Sequence, residues 1–354
     1  MAGRDEPPPA AAGAGGSAVR AWQVPEPGEP RAVLRLVEDA PRPVPGPGQL
    51  LVRVRAAAVN FPDALLVRGQ YQVRPPLPFT PGVELCGEVV EQGPAPAEPR
   101  DLPEAEWRPG DRVIGTPVLP HGAFAEYALL DAAAAFGAPD SLDDAEAAAL
   151  HIGHQTAWFA LHRRAALRPG ETLLVHAAAG GVGSAAVQLG RAAGARVIAV
   201  VGGAGKAATA RALGADLVVD RTAEDFVAAV RAATGGRGAD VVFDPVGGAA
   251  FTGSTRCVAF EGRIVVVGFA GGEIPAPALN HALVKNYAIL GLHWGLYQTR
   301  DPGAVRAVHR ELCALAAKGA VRPLVTGRLP FEAVPDAVQR VADGTTTGRL
   351  VVLP

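Results

Sequence analysis

The chain has 354 residues, 49% of them hydrophobic and 19% charged, which supplies apolar material for about two domains and too little charge density for a disordered chain. A formal charge of -2 offers no field for neutralising phosphates, so nucleic acid binding is excluded as a global property. Three scattered cysteines, Cys86, Cys257 and Cys313, with no CxxC and no histidine at ligand spacing, exclude a disulfide framework and a zinc knuckle.

Residues 1–18 are mostly Pro, Ala and Gly and predict a mobile tail. No stretch reaches the roughly 18 uninterrupted apolar residues that span a bilayer, so the expectation is a soluble, cytoplasmic protein with no membrane partner. From 19 to 143, short apolar runs (VLRLVE, LLVRVRAAAVN, GVELCGEVVEQG, DRVIG) are broken by Pro and Gly, which predicts a twisted, mostly antiparallel sheet or partial barrel. Residues 92–110 read as a loop. From about Ser141 the segment DDAEAAALHIGHQTAWFALHRRAAL has helical spacing and an acidic opening suited to a helix N-terminus.

Between 144 and 292 short β-branched strands, Leu173 to His176, Arg196 to Val201, Leu217 to Asp220, Asp240 to Asp244 and Ile264 to Val267, alternate with helical segments 184–194, 206–213, 224–236 and 250–260. The alternation predicts an α/β fold, a doubly wound parallel sheet covered on both faces. The remainder, 293–354, opens with a loop at 293–301 and then predicts two helices and a final strand, RLVVLP.

The strongest chemical signal is LLVHAAAGGVGSAAVQLG, a strand entering a glycine turn that opens a helix. Gly180 lets the backbone approach a pyrophosphate, and Gly183 lets the helix pack on the strand while its first N–H groups face the anion. Ala178 stands where the GxGxxG spacing has its first glycine. Ala178, Gly180, Gly181, Val182 and Gly183 are therefore candidate dinucleotide contacts. After the next strand the chain reads VVGGAGK, without the acid that would hold the ribose 2'-hydroxyl of NAD. Gly202, at the end of that strand, is a further candidate cofactor contact; Lys206 follows it closely, and only three lysines occur in the chain. Its ammonium, with Arg221 as a second partner, suits the 2'-phosphate of NADPH.

The N-terminal motifs AAAVNFPDALLVRGQY, PPLPFTPGVELCGEVVEQG and RPGDRVIG, with EGRIVVVGFAGGEIP further on, resemble the medium-chain dehydrogenase/reductase superfamily, in its zinc-free quinone oxidoreductase (zeta-crystallin-like) branch. The resemblance runs over about residues 19–354 and implies a GroES-like catalytic domain at 19–143, a Rossmann NADPH-binding domain at 144–292 and a segment, 293–354, that returns to the catalytic domain. It implies Asn60 and Tyr71 as hydrogen-bond donors to a carbonyl, with Asp63 lining or supporting the pocket. Thr156, Gly268 and Phe269 are implied near the nicotinamide. Asn60 and Val83 stand where zinc enzymes of the family carry a catalytic cysteine and a histidine, so no metal is expected. Glu84 is expected to fix an interface arginine or backbone, and Asp244 to set a turn. Pairing of edge strands around Ile289 to His293 is implied, hence a homodimer. The expected activity is NADPH-dependent hydride transfer to a quinone or related conjugated carbonyl. Reduction of enoyl thioesters or enones in a biosynthetic route, and NADPH binding without catalysis, are the alternatives.

Overall fold

The computed structural model describes residues 18–96 and 106–354, so most of the tail and the middle of the 92–110 segment lie outside the described residues. Ala18, placed in the tail by its sequence, already opens the first strand.

The first module contains β1 (Ala18–Gln23), β2 (Arg35–Pro41), β3 (Gln49–Ala58), β4 (Leu85–Gln92), β5 (Arg112–Gly115), β6 (Tyr127–Asp131) and β7 (Phe136–Gly137). The second contains β8 (Thr172–Val175), β9 (Arg196–Val201), β10 (Leu217–Asp220), β11 (Ala239–Asp244), β12 (Val258–Val266) and β13 (Ala288–Gly291). Two last strands, β14 (Val325–Pro330) and β15 (Arg349–Leu353), leave the second module and join the first.

In the first module β14-β15-β3-β4-β5-β7 form one sheet with β6 on β3, antiparallel except for β14 on β15; β1 and β2 pair separately. β3 holds this sheet together because its apolar residues Leu50, Val52 and Val54 enter a core with Leu85, Val89, Val113 and Phe124. Val334 and Val338 of the helix Val334–Ala342, with Leu350 and Val352 of β15, enter the same core. The chain's end is thus packed beneath its beginning.

The second sheet is wholly parallel, in the order β10-β9-β8-β11-β12-β13. Strand alternation divides its side chains between two cores. Leu173 and Val175 of β8 and Val197, Ala199 and Val201 of β9 face the helix Gly181–Ala192, while Leu174, Ile198, Val200 and Val242 face the opposite layer with Phe251. Because the order reverses between β8 and β11, a crevice opens at their carboxyl ends, the usual position for a ligand in such sheets.

Four local expectations are corrected. The helix expected over 250–260 occupies Gly248–Cys257, and the strand expected at Ile264 starts at Val258, because Val258 pairs with Ala239. That pairing overrides the helical propensity of the segment. The long helix from 141 is broken at Ala149 and Leu150 into Asp144–Ala148 and His151–Trp158. The loop at 293–301 contains a helix, Gly295–Arg300, whose Gln298 reaches Thr116 of the first module (3.4 Å).

Four histidines, His151, His154, His176 and His309, are buried, and burial pushes His151 and His154 down to about 3 and His176 and His309 to about 4. In the unfolded chain each takes up a proton near pH 6.5 while the folded chain does not, so stability is fully present above pH 6.5 and is lost as pH falls. By pH 5 each of these histidines should cost about 2 kcal/mol. Urea denaturation followed from pH 7.5 to pH 5 should show this decline, and His151→Phe should make it shallower.

Candidate active site

Two sets of residues meet where the modules join. In the first module, Asn60 follows β3 and caps the helix Phe61–Val67. Asp63 is fully buried beneath it and accepts from the backbone N–H of Asn60 (2.8 Å), Gly82 (3.1 Å) and Val83 (3.0 Å). Burial pushes Asp63 up to about 7 against the pull of those N–H groups. Asp63 thus ties the start of this helix to the backbone of Gly82 and Val83.

Asn60 is held as tightly. Its Nδ2 donates to Ala58 O (3.0 Å) and to Glu84 Oε2 (2.9 Å), and its Oδ1 accepts from Arg349 Nη1 (2.9 Å). Both amide hydrogens are committed inside the protein. The expected role of Asn60 as a donor to a carbonyl therefore does not match this geometry, which makes it a structural amide. Tyr71 is half-buried beside the same core, and burial together with the nearby Asp63 pushes its hydroxyl up, so it keeps its proton at neutral pH.

Glu84 is fully buried and behaves as expected from sequence, accepting from the Ile152 N–H (2.6 Å) and pairing with an arginine. Burial pushes Glu84 up, while Arg349 and its hydrogen bonds pull it back. That arginine, Arg349 at the start of β15, was not identified from sequence. The signal was present: a charged residue heading the buried strand RLVVL, where charge needs a partner.

On the nucleotide side, β8 leads to Ala177, which is left-handed (φ +49°) and costs about 1–2 kcal/mol for a residue with a Cβ. Gly180 donates to Ala177 O (2.8 Å), and a Cβ on Gly183 would lie 2.1 Å from the same oxygen. The close approach requires glycine there. Ala178 donates to Val200 O (3.1 Å), tying the turn to β9. Gly181 and Val182 open the helix, and a Cβ on Gly181 would meet Arg349 Cδ at 2.8 Å. Gly348 donates to Ala179 O (2.7 Å), so β15 approaches both the glycine turn and Asn60.

Lys206 and Arg221 come together at the ends of β9 and β10. Arg221 packs over Gly202, where a Cβ would be 3.2 Å from its Nη2. Lys206 donates to Gly344 O (3.3 Å), and burial with the nearby guanidinium of Arg221 pushes it down. Asp220 is occupied by the N–H groups of Gly203 (2.8 Å) and Thr222 (3.0 Å). Gly268 and Phe269 follow β12; Phe269 lies against Gly247, in the turn that Asp244 sets by accepting from Val246 (2.8 Å) and Gly247 (3.0 Å). Thr156 is buried in the helix His151–Trp158.

A model of the alcohol dehydrogenase GroES-like domain matches residues 46–140, and one of zinc-binding dehydrogenases matches 181–310. The mouse quinone oxidoreductase-like protein 2 is 38% identical over 320 residues, 90% of this chain and 88% of its own. The chain belongs to the medium-chain dehydrogenase/reductase superfamily. It is also 33% identical to phthioceranic/hydroxyphthioceranic acid synthase of Mycobacterium tuberculosis, over 87% of this chain but 14% of that protein. Among solved structures, the mycobacterial protein Rv1454c complexed with NADPH superposes with a TM-score of 0.85 at 33% identity, covering 95% of this chain and all (100%) of that one.

Some members of this superfamily bind zinc, as the name of the second matching model states. The residues here do not fit that metal. Among the described residues no three His, Cys, Asp or Glu side chains gather to hold an ion. Glu84, the carboxylate beside Asn60, is already saturated by an amide, a backbone N–H and a guanidinium.

Replacing Arg349 by Met would leave the Glu84 charge buried and unpaired, with an expected cost of about 3–5 kcal/mol. The double replacement Arg349→Met with Glu84→Gln should recover much of that loss in chemical denaturation.

Proposed function

We propose that this chain is an NADPH-dependent, metal-free reductase of quinones or related conjugated carbonyl compounds. The observation that carries the reading is the pair Lys206 and Arg221 at the ends of adjacent strands where no free acid stands, beside a glycine turn shaped for close backbone approach. Two neighbouring cations repel one another, and an anion placed between them relieves that cost, as the 2'-phosphate does.

The Gly180 to Val182 turn and the start of the helix at Gly181 would hold the pyrophosphate, with Gly183 keeping the helix close. Thr156, Gly268 and Phe269 would flank the nicotinamide. When bound, NADPH supplies the hydride. Tyr71 keeps its proton and is the side chain assigned to donate a hydrogen bond to the acceptor oxygen, steadying the negative charge that develops there. Asn60, Asp63, Glu84 and Arg349 shape the floor without giving up a hydrogen. His154 has a buried ring with both nitrogens unpartnered and is pushed down to about 3, so it carries no imidazolium to act as an acid.

A second reading, an enoyl-thioester or enone reductase, is favoured by the similarity to one portion of a long acid synthase. Hydride addition to a conjugated carbonyl places the same demands on the cleft. Turnover measured with quinones, enones and 2-enoyl thioesters separates the two. No NADPH oxidation with any of them would defeat both and favour NADPH binding without catalysis.

The cysteines, all free, suit a reducing, cytoplasmic compartment. No helix among the described residues is long and apolar enough to cross a membrane. Beside the edge strand β13, Phe260 of β12, Ile274 of the segment after it, and Leu279, Leu283 and Val284 of the helix Leu279–Lys285 stand at 70–77% exposure, which supports burial against a second copy.

Lys206→Ala should weaken NADPH about tenfold and leave NADH nearly unchanged, as read by titration of each cofactor. Tyr71→Phe should lower kcat about 10²-fold with cofactor affinity intact. Exhaustive chelation should leave activity unchanged. Leu279→Glu with Leu283→Glu should yield monomers by light scattering.

A further inference from the structure

The glycine turn contains one residue that is badly suited to its backbone. Ala177 has a Cβ and a left-handed φ of +49°, and its carbonyl is the point on which the turn closes: Gly180 N–H donates to it, and the first turn of the helix at Gly183 packs directly upon it. A rotation of this peptide would break the first contact and collide with the second. Something outside the turn must hold it.

The residue immediately before it is His176, which is 2% exposed at the end of β8. Its imidazole is gripped from the helix layer behind the sheet. His176 Nε2 lies 2.8 Å from Ser254 Oγ, and Ser254 gives its single hydroxyl hydrogen to Ala250 O (2.7 Å). Nε2 is therefore the donor and Ser254 Oγ the acceptor. The Phe226 ring stands edge-on to the imidazole (centroids 4.9 Å, 87°) and is itself wedged at Gly253, where a Cβ would come within 2.3 Å of its Cζ. The backbone is pinned as well, with His176 N–H donating to Phe243 O (3.1 Å). Both the ring and the peptide at which the turn leaves the sheet are thus immobilised.

We infer that His176 is a positioning residue: its hydrogen bond to Ser254 holds Ala177 left-handed, so that the turn stays closed on its carbonyl and the N–H groups of Gly181 to Gly183 stay aimed at a dinucleotide phosphate. This rests on the NADPH reading above. His176 touches no reacting atom in this scheme. It acts through Ala177, and its contribution lies in cofactor affinity and not in hydride transfer.

The experiment is an NADPH fluorescence titration of the full-length chain and its variants, with melting temperature recorded for each. His176→Phe, which keeps the ring volume and loses the donor, and Ser254→Ala, which loses the acceptor, should each raise the Kd for NADPH about tenfold. Turnover at saturating NADPH should stay within twofold. His176→Gln, which restores an N–H at similar reach, should return the Kd to within threefold. Glycine adopts this φ without steric cost, so Ala177→Gly in the His176→Phe background should also recover binding. A folded His176→Phe or Ser254→Ala that binds NADPH as the parent does overturns the inference, as does a loss that persists undiminished with Ala177→Gly. Should His176→Phe fail to fold, Ser254→Ala decides by the same titration. A parent chain that does not bind NADPH defeats the functional reading itself, a result distinct from a binding parent with silent variants.

Discussion

Taking a carboxylate and a guanidinium out of water costs several kcal/mol per ion, and the cost is offset only when both are paired and their remaining hydrogen-bonding groups are used. The pair Glu84 and Arg349 meets most of that requirement, with both residues buried and with Asn60 and the Ile152 N–H completing the set; Arg349 Nε alone is left without a partner. Four parts of the chain are bound by it: β4, the cap of the helix after β3, the helix between the modules, and the last strand. Remove one member and the others are left as uncompensated polar groups in a dry interior. The cluster thus fixes where these four parts of the chain meet.

The same cluster joins the glycine turn to the first module. Arg349 lies along Gly181 and Gly153, and the residue before it, Gly348, donates to Ala179. The last strand and the residue before it therefore contact both the glycine turn and the Asn60 amide. The cations divide by place. Arg349 is neutralised in the interior, whereas Lys206 and Arg221 remain together at the ends of β9 and β10. Electrostatic discrimination is thus separated from the chemistry, which the proposed reaction entrusts to a protonated phenol and fixed dipoles.

The glycine turn illustrates how such a site is built from strain and support. Gly183 is there because a side chain would overlap a backbone oxygen, whereas Ala177 adopts a conformation that its side chain disfavours. Strained residues persist where surrounding structure over-determines them. Here the support comes from across the sheet, through a histidine that periodicity alone would count as one more strand residue.

Local pattern was sufficient for much of this. Alternating β and α segments with short apolar strands specify a parallel sheet because both faces must be buried, and a strand, a glycine turn and a helix in succession specify an anion site because unpaired N–H groups converge there. The missing acid and the rare Lys206 were likewise legible, being properties of neighbouring residues. Tertiary structure decided the rest. That Arg349, 289 positions beyond Asn60, takes up the amide's oxygen, that the Asn60 hydrogens are spent within the protein, that Val258 leaves its helix to pair with Ala239, and that Ser254 grips His176 all depend on residues distant in sequence. Periodicity reports which face of an element is buried; it carries no information about which polar group lies opposite once the faces close.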